Sequence, residues 1–110
     1  MKFEIFKSEN TAKFYFRLKA GNGEIVLSSQ AYARKDSCKN GIKSVMTNAK
    51  EGTYEEKEAA NGKFHFNLLA KNKKVIGSSQ MYASKASMKN GIESVRKTDD
   101  SATVVDLTQA

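Results

Sequence analysis

The sequence predicts an α+β fold: two tandem β-β-β-α-β repeats that share one antiparallel sheet, exchange their C-terminal strands and carry two helices on one face. Three observations point there. The segment Ser28-Ser29-Gln30-Ala31-Tyr32-Ala33, followed by Lys35 and Asn40-Gly41-Ile42, returns as Ser78-Ser79-Gln80-Met81-Tyr82-Ala83, Lys85 and Asn90-Gly91-Ile92; ungapped pairing of residues 13–47 with 63–97 gives 19 identities in 35 positions. The chain is an internal duplication. Before each copy of this segment apolar residues recur with a period of two, and after it they recur at helical spacing. A strand-like stretch then follows each helical one, so a unit whose last strand is borrowed by its neighbour ties the halves into one sheet.

Taken in order, Phe3-Glu4-Ile5-Phe6 reads as a strand with Phe3 and Ile5 on one face. Ser8 to Thr11 supplies a turn, and Lys13 to Lys19 alternates strictly, with Phe14, Phe16 and Leu18 inward and Tyr15, Arg17 and Lys19 outward. Gly21-Asn22-Gly23 reverses the chain into Glu24-Ile25-Val26-Leu27-Ser28. From Lys35 the period changes: Cys38, Ile42, Val45 and Ala49 share one helical face, as do Met88, Ile92 and Val95 in the second copy. Ser84 is placed to cap the second helix, whereas Arg34 stands at that position in the first, with Asp36 in the first turn to suit the helix dipole.

Asn-Gly is also a strong hairpin signal. Because the apolar spacing runs through Asn40-Gly41 and Asn90-Gly91 unbroken, both belong inside helices, where a glycine costs about 1 kcal/mol against alanine. The small residues Ser37, Gly41 and Ser44, repeated as Ser87, Gly91 and Ser94, predict a close approach along that stripe, either of the two helices or of helix to sheet. Thr53 to Glu58 opens the second unit as a polar strand, Lys63 to Leu68 and Lys74 to Ser78 repeat the hairpin, and Thr103 to Leu107 is the last strand.

Bulk properties bound the reading. One repeat of about fifty residues buries only roughly 60% of its unfolded surface, so the expectation is a single compact domain over 1–110, divided at about residue 51. With 39% hydrophobic and 28% charged residues the chain is not of a disordered type. No apolar run approaches a membrane span or a signal sequence, and Cys38 is the only cysteine, which together predict a cytoplasmic protein. The net charge of +7 is uneven: residues 1–50 carry ten basic and four acidic residues, residues 51–110 nine and eight. That excess is compatible with binding a polyanion and equally with plain solubility.

The opening Phe3-Glu4-Ile5-Phe6-Lys7, the run Leu18 to Glu24, the paired Ser-Ser-Gln-x-Tyr segments, the two Asn-Gly-Ile-x-Ser-Val stretches and the closing Val104 to Thr108 together resemble the YegP-like family of small bacterial proteins. The resemblance implies a β-β-β-α-β unit whose last strand is exchanged between repeats or subunits. It implies no activity, since the family is uncharacterised. The sequence departs from many members in having Phe14 where tryptophan is common, and in opening its second unit with Tyr54-Glu55-Glu56, a more exposed strand.

No catalytic or metal constellation emerges, and no cofactor is expected. His65, the only histidine, is replaced by Tyr15 in the other copy and faces outward. Cys38 is replaced by Met88 on the apolar stripe, as a buried small hydrophobe permits and a nucleophile does not. Glu55, Glu56 and Glu58 read as a polar edge. The candidate binding residues are Ser28, Ser29, Gln30 and Tyr32 with Ser78, Ser79, Gln80 and Tyr82 at the strand-to-helix junctions, Tyr15 and Arg17 on the outer sheet face, and Lys39 and Lys43 on a ridge begun by Lys35. Structural roles for the junction residues stand beside the binding one. The function predicted is a non-enzymatic binding or interaction module of unknown ligand, monomeric, with a protein as the kind of partner such a module takes. Nonspecific nucleic-acid binding through the basic first repeat is one alternative, and a small enzyme using the Ser/Tyr/Lys junction another.

Overall fold

Covalent alternation places Phe3, Ile5, Phe16 and Leu18 on one sheet face and the helical period places Cys38, Ile42 and Val45 on one helix face; the fold closes these faces on each other, and all seven are buried. The structure, a computed structural model, describes residues 1–108. Gln109 and Ala110, the end of the expected domain, lie outside the described residues. The elements are β1 (Lys2–Lys7), β2 (Phe14–Lys19), β3 (Ile25–Ser29), α1 (Lys35–Asn48), β4 (Thr53–Glu58), β5 (Phe64–Leu69), β6 (Val75–Ser78), α2 (Lys85–Arg96) and β7 (Thr103–Asp106).

The α+β reading and the two-repeat order are as expected. All the strands join one sheet in the order β4-β5-β6-β3-β2-β1-β7. The repeats meet at its centre, where β3 and β6 run antiparallel with Ser28 opposite Ser78 and Ser29 opposite Gly77. Each strand that follows a helix leaves its own repeat: β4 lies beside β5 at one end, and β7 lies beside β1 at the other. One detail departs from an all-antiparallel sheet. β7 runs parallel to β1, with Phe3 beside Val104 and Ile5 beside Asp106. The strand that α2 leads from, β6, runs opposite to β1 through the antiparallel ladders between them, so β7 reverses direction relative to β6 and lies outside β1 in the same sense as β1.

The core is one continuous cluster drawn from both repeats, with Phe66, Leu68 and Met88 packed in the same body as Phe3, Phe16 and Val45. Irregularities at Leu18/Lys19 and Leu68/Leu69 turn two consecutive residues inward in each returning strand, Val26 with Leu27 and Ile76 with Gly77. Leu27 and Gly77 are equivalent positions, yet only one side chain is present. A Cβ at Gly77 would stand 2.8 Å from Leu27 Cγ, so the leucine of the first repeat fills the space at the pseudo-twofold axis for both.

Helix termini follow the local chemistry. Ser84 accepts a hydrogen bond from the Ser87 amide, while Arg34 makes no side-chain cap. The polar β4 is the more exposed counterpart of β1, and Tyr54 and Glu56 take the register places of Phe3 and Ile5. Tyr54 and α2 finish the end of α1: the Tyr54 hydroxyl donates to the Ala49 carbonyl, and Arg96 lies 4.6 Å over the Tyr54 ring while donating to the Lys50 carbonyl at 2.8 Å.

Candidate functional site

The repeated Ser-Ser-Gln-x-Tyr segment is a strand that leaves its neighbour and returns. The Ser29 hydroxyl accepts from the Phe16 amide at 2.9 Å and donates to the Gln30 carbonyl at 2.8 Å. Tyr32 then pairs with Phe14 through both backbone groups at 2.8 Å. In the second copy Ser79 makes the same bonds with Phe66 and Gln80, and Tyr82 pairs with Phe64. A serine is suited here because its hydroxyl supplies an acceptor where the ladder is interrupted. Gln30 and Gln80 bow out into solvent at the gap.

The tyrosine rings turn inward and stack on Phe16 and Phe66, with centroids 6.3 and 6.4 Å apart. Their hydroxyls lie against the helical glycines. A Cβ on Gly41 would overlap the Tyr32 hydroxyl and come within 2.9 Å of the Phe16 ring, and a Cβ on Gly91 would overlap the Tyr82 hydroxyl. The stripe of small residues therefore receives a tyrosine, and the close approach it predicts is to the junction and the sheet. Burial, the largest cause, raises both phenol pKa values, so the hydroxyls remain protonated.

Ser28 and Ser78 face each other across the central strand pair, and the Ser78 hydroxyl donates to Asn67 Oδ1 at 2.6 Å. On the same helix-free face Tyr15 stacks on Phe6 at 5.5 Å, and Arg17 lies 4.7 Å over the Phe6 ring. Arg17 also binds the Glu4 carboxylate at 2.7 Å, joined by Lys19 at 3.3 Å and Lys2 at 3.4 Å. Glu4 is only 6% exposed. Its carboxyl is lowered to about 2, chiefly by the Arg17 hydrogen bond with help from Lys19 and Lys2, against the opposing effect of burial. His65 stands in the place of Tyr15, opposite Lys57.

Lys39 and Lys43 are exposed on α1. Lys35 is not a free member of their ridge, since its Nζ pairs with Asp106 at 2.9 Å. Cys38 is fully buried, and burial, with Asp106 adding, pushes its thiol up to about 11. Among the described residues no group of three or more His, Cys, Asp or Glu side chains is placed to hold a metal, and no helix is long and apolar enough to cross a membrane.

A polar cleft of about 360 Å³ opens where the first repeat's hairpin meets the second repeat's junction. Asn22 and Glu24 line one side, and Gln80, Tyr82, Ser87, Asn90 and Ser94 the other. The sequence pointed to Gln80 and Tyr82. It gave no sign that Asn22 and Glu24 belong with them, because only the β3–β6 pairing brings that hairpin across. At the related positions of the first copy Gln30, Tyr32, Ser37, Asn40 and Ser44 are identical to their counterparts, while Glu24 is matched by Lys74.

The repeated unit also decides the family. The family model described as "Domain of unknown function (DUF1508)" matches residues 10–56 and again residues 59–106. The chain belongs to the DUF1508 family. Each DUF1508 copy ends in the strand that crosses to the other half. Among relatives, UPF0339 protein YegP of Escherichia coli (strain K12) is 51% identical over 61 residues, a match covering 54% of each chain. A UPF0339 protein of Treponema denticola is 49% identical over 55 residues, which is 50% of this chain and 93% of the relative, so a chain about one repeat long occurs. In each case the sequence match takes in about half of this chain, and about half the length of the YegP relative.

Two solution NMR structures resemble this DUF1508 chain over nearly its whole length. The protein of unknown function yegP from E. coli has a TM-score of 0.88 and 50% identity, covering 99% of this chain and 94% of that one. A UPF0339 protein from Shewanella oneidensis has a TM-score of 0.87 and 47% identity, covering 96% and 90%. These relatives are uncharacterised proteins, and none of them brings an enzymatic family.

Proposed function

We propose that the protein is a non-enzymatic binding module that takes a polar ligand in the cleft between the hairpin of one repeat and the junction of the other. The observation that carries this reading is the chemistry left free there. The Ser79 hydroxyl is committed to backbone groups, the Ser78 hydroxyl to Asn67, and the Tyr82 hydroxyl is held against Gly91. Of the exposed lining, Asn22 Oδ1 already accepts from the Glu24 amide and the Ser87 hydroxyl from Ser84. The side-chain amides of Asn22, Asn90 and Gln80 and the Glu24 carboxylate remain to offer hydrogen bonds and one negative charge, without an activated nucleophile. The two repeats act as a single domain over 1–110, in a monomer of the cytoplasm in which duplication supplies the pairing that a one-repeat chain would need a second copy for.

The test is a titration of the ¹⁵N-labelled protein with a panel of neutral, cationic and anionic small polar molecules. Binders are expected to move the amide signals of Asn22, Asn90, Gly91 and Ser94. The double change Asn90→Ala, Ser94→Ala should weaken them about tenfold or more without unfolding the protein. Binders that ignore the cleft, or turnover of a substrate that survives these changes, would overturn the reading.

A further inference from the structure

We infer that the free edge of β7 is a docking strand for an extended, acidic segment of a protein partner. Its backbone is set for this. The amides of Thr103 and Leu107 turn toward β1, to the carbonyls of Met1 at 3.4 Å and Ile5 at 2.8 Å. Alternation then directs the Val104 and Asp106 amides away from the sheet, where no strand pairs with them among the described residues.

The two ends of the sheet differ in how they are protected. β4, at the far end, carries Glu55, Glu56, Lys57 and Glu58, the charged pattern that discourages further pairing. β7 carries Thr103, Val104, Val105 and Asp106, with Val104 45% exposed and the following Leu107 51% exposed. An unguarded edge with apolar side chains is the feature strand addition uses.

Charge names the kind of occupant. The Lys35–Asp106 pair fixes the ridge of α1 against the end of β7. Lys39 and Lys43 lie one and two turns along that ridge, about 6 and 12 Å further at 1.5 Å per residue, a span that four strand residues also cover. Both are exposed and enter no ion pair among the described residues. A segment paired to β7 with carboxylates on its helix-facing side meets both lysines, and the positive excess of residues 1–50 steers it there.

The probe is an acetylated, amidated heptapeptide alternating glutamate with valine, titrated into the ¹⁵N-labelled full chain. Signals of Thr103–Asp106 and of α1 around Lys39 and Lys43 are expected to shift. Affinity should fall about tenfold or more for Lys39→Glu with Lys43→Glu, and for the same peptide with lysine in place of glutamate. Val104→Pro removes an outward amide while sparing the bonds of Thr103 and Leu107, and should abolish binding with β1 and β2 signals unchanged. Equal binding of the lysine peptide, shifts confined to the cleft, or no shift at millimolar peptide would overturn the proposal. So would sedimentation showing that copies join β7 to the acidic β4 of a neighbour, which would assign the edge to self-association.

Discussion

Leu27 occupies the space that a side chain at Gly77 would need: a Cβ there would lie 2.8 Å from Leu27 Cγ and 3.1 Å from the Ser28 carbonyl oxygen. Gly77→Leu restores the matching letter of the first repeat and should destabilise by about 2–3 kcal/mol through overpacking. Leu27→Gly opens a cavity and should cost about 3–5 kcal/mol. The double exchange should recover at least half of the summed loss in urea denaturation, because the pseudo-twofold axis offers the same space to either residue. Simple additivity would show the two positions to be independent.

Gly91→Ala offers a second test. In an unencumbered helix this change would stabilise by about 1 kcal/mol. Against the Tyr82 hydroxyl it should instead destabilise by about 1–3 kcal/mol. Tyr82→Phe in the same chain should relieve only part of the loss, since the Tyr82 Cζ would still lie 2.7 Å from the new Cβ. A gain in melting temperature for Gly91→Ala alone would contradict the contact.

Acid should expose the role of Glu4. Its carboxyl titrates at about 2 in the folded chain against an ordinary 4.5, so the unfolded chain binds the proton first. The contribution is therefore complete above about pH 4.5 and is lost as pH falls toward 2, an effect on the order of 2–3 kcal/mol. Asp106, held down to about 2 by the Thr108 hydroxyl and then by Lys35, loses stabilisation over a similar range below its ordinary 3.8. Glu4→Gln should be the less stable protein at pH 7 and converge with the unmodified chain near pH 2. Parallel pH curves for the two would refute the assignment.

Lys35→Met should loosen β7 without loosening the core. The Lys35–Asp106 pair is 32% and 14% exposed at its two side chains and should be worth about 1 kcal/mol. Amide exchange at Thr103 and Leu107 should then speed up roughly fivefold, while Phe16 and Phe66 keep their protection. Uniform acceleration throughout would mean that β7 opens only with the whole sheet.

One continuous core implies one unfolding transition for both repeats. Amide signals of Phe16 and Phe66 should melt together, and Cys38, buried with its thiol pushed up to about 11, should react with thiol reagents only at the rate of that opening. Separate melting of the two halves, or rapid labelling of Cys38 in the folded protein, would sink this reading.

Much of the architecture was legible along the chain. The alternation at Phe14, Phe16 and Leu18, the helical stripe of Cys38, Ile42 and Val45, the Ser84 cap and the greater exposure of the strand opened by Tyr54-Glu55-Glu56 relative to β1 each rest on a short window of residues and recur as read. Asn40-Gly41 could be placed inside a helix for the same reason. What filled the gap beside Gly41 could not be read, because a missing Cβ records that something comes close without naming it. The candidate site divides the same way: Gln80 and Tyr82 carried a signal in their repetition, while Asn22 and Glu24 carried none.

By itself, then, the sequence determined the elements, their order, the duplication and which side of each element is apolar, since covalent geometry makes side-chain direction a matter of nearest neighbours. Only the tertiary structure decided that β7 runs parallel to β1, that Leu27 serves both halves at Gly77, that Tyr82 rests on Gly91, and that a hairpin of one repeat walls a cleft of the other. Each of these joins residues far apart in the chain, and such pairings are set by which two surfaces bury the most apolar area together, a comparison that exists only once both surfaces have formed.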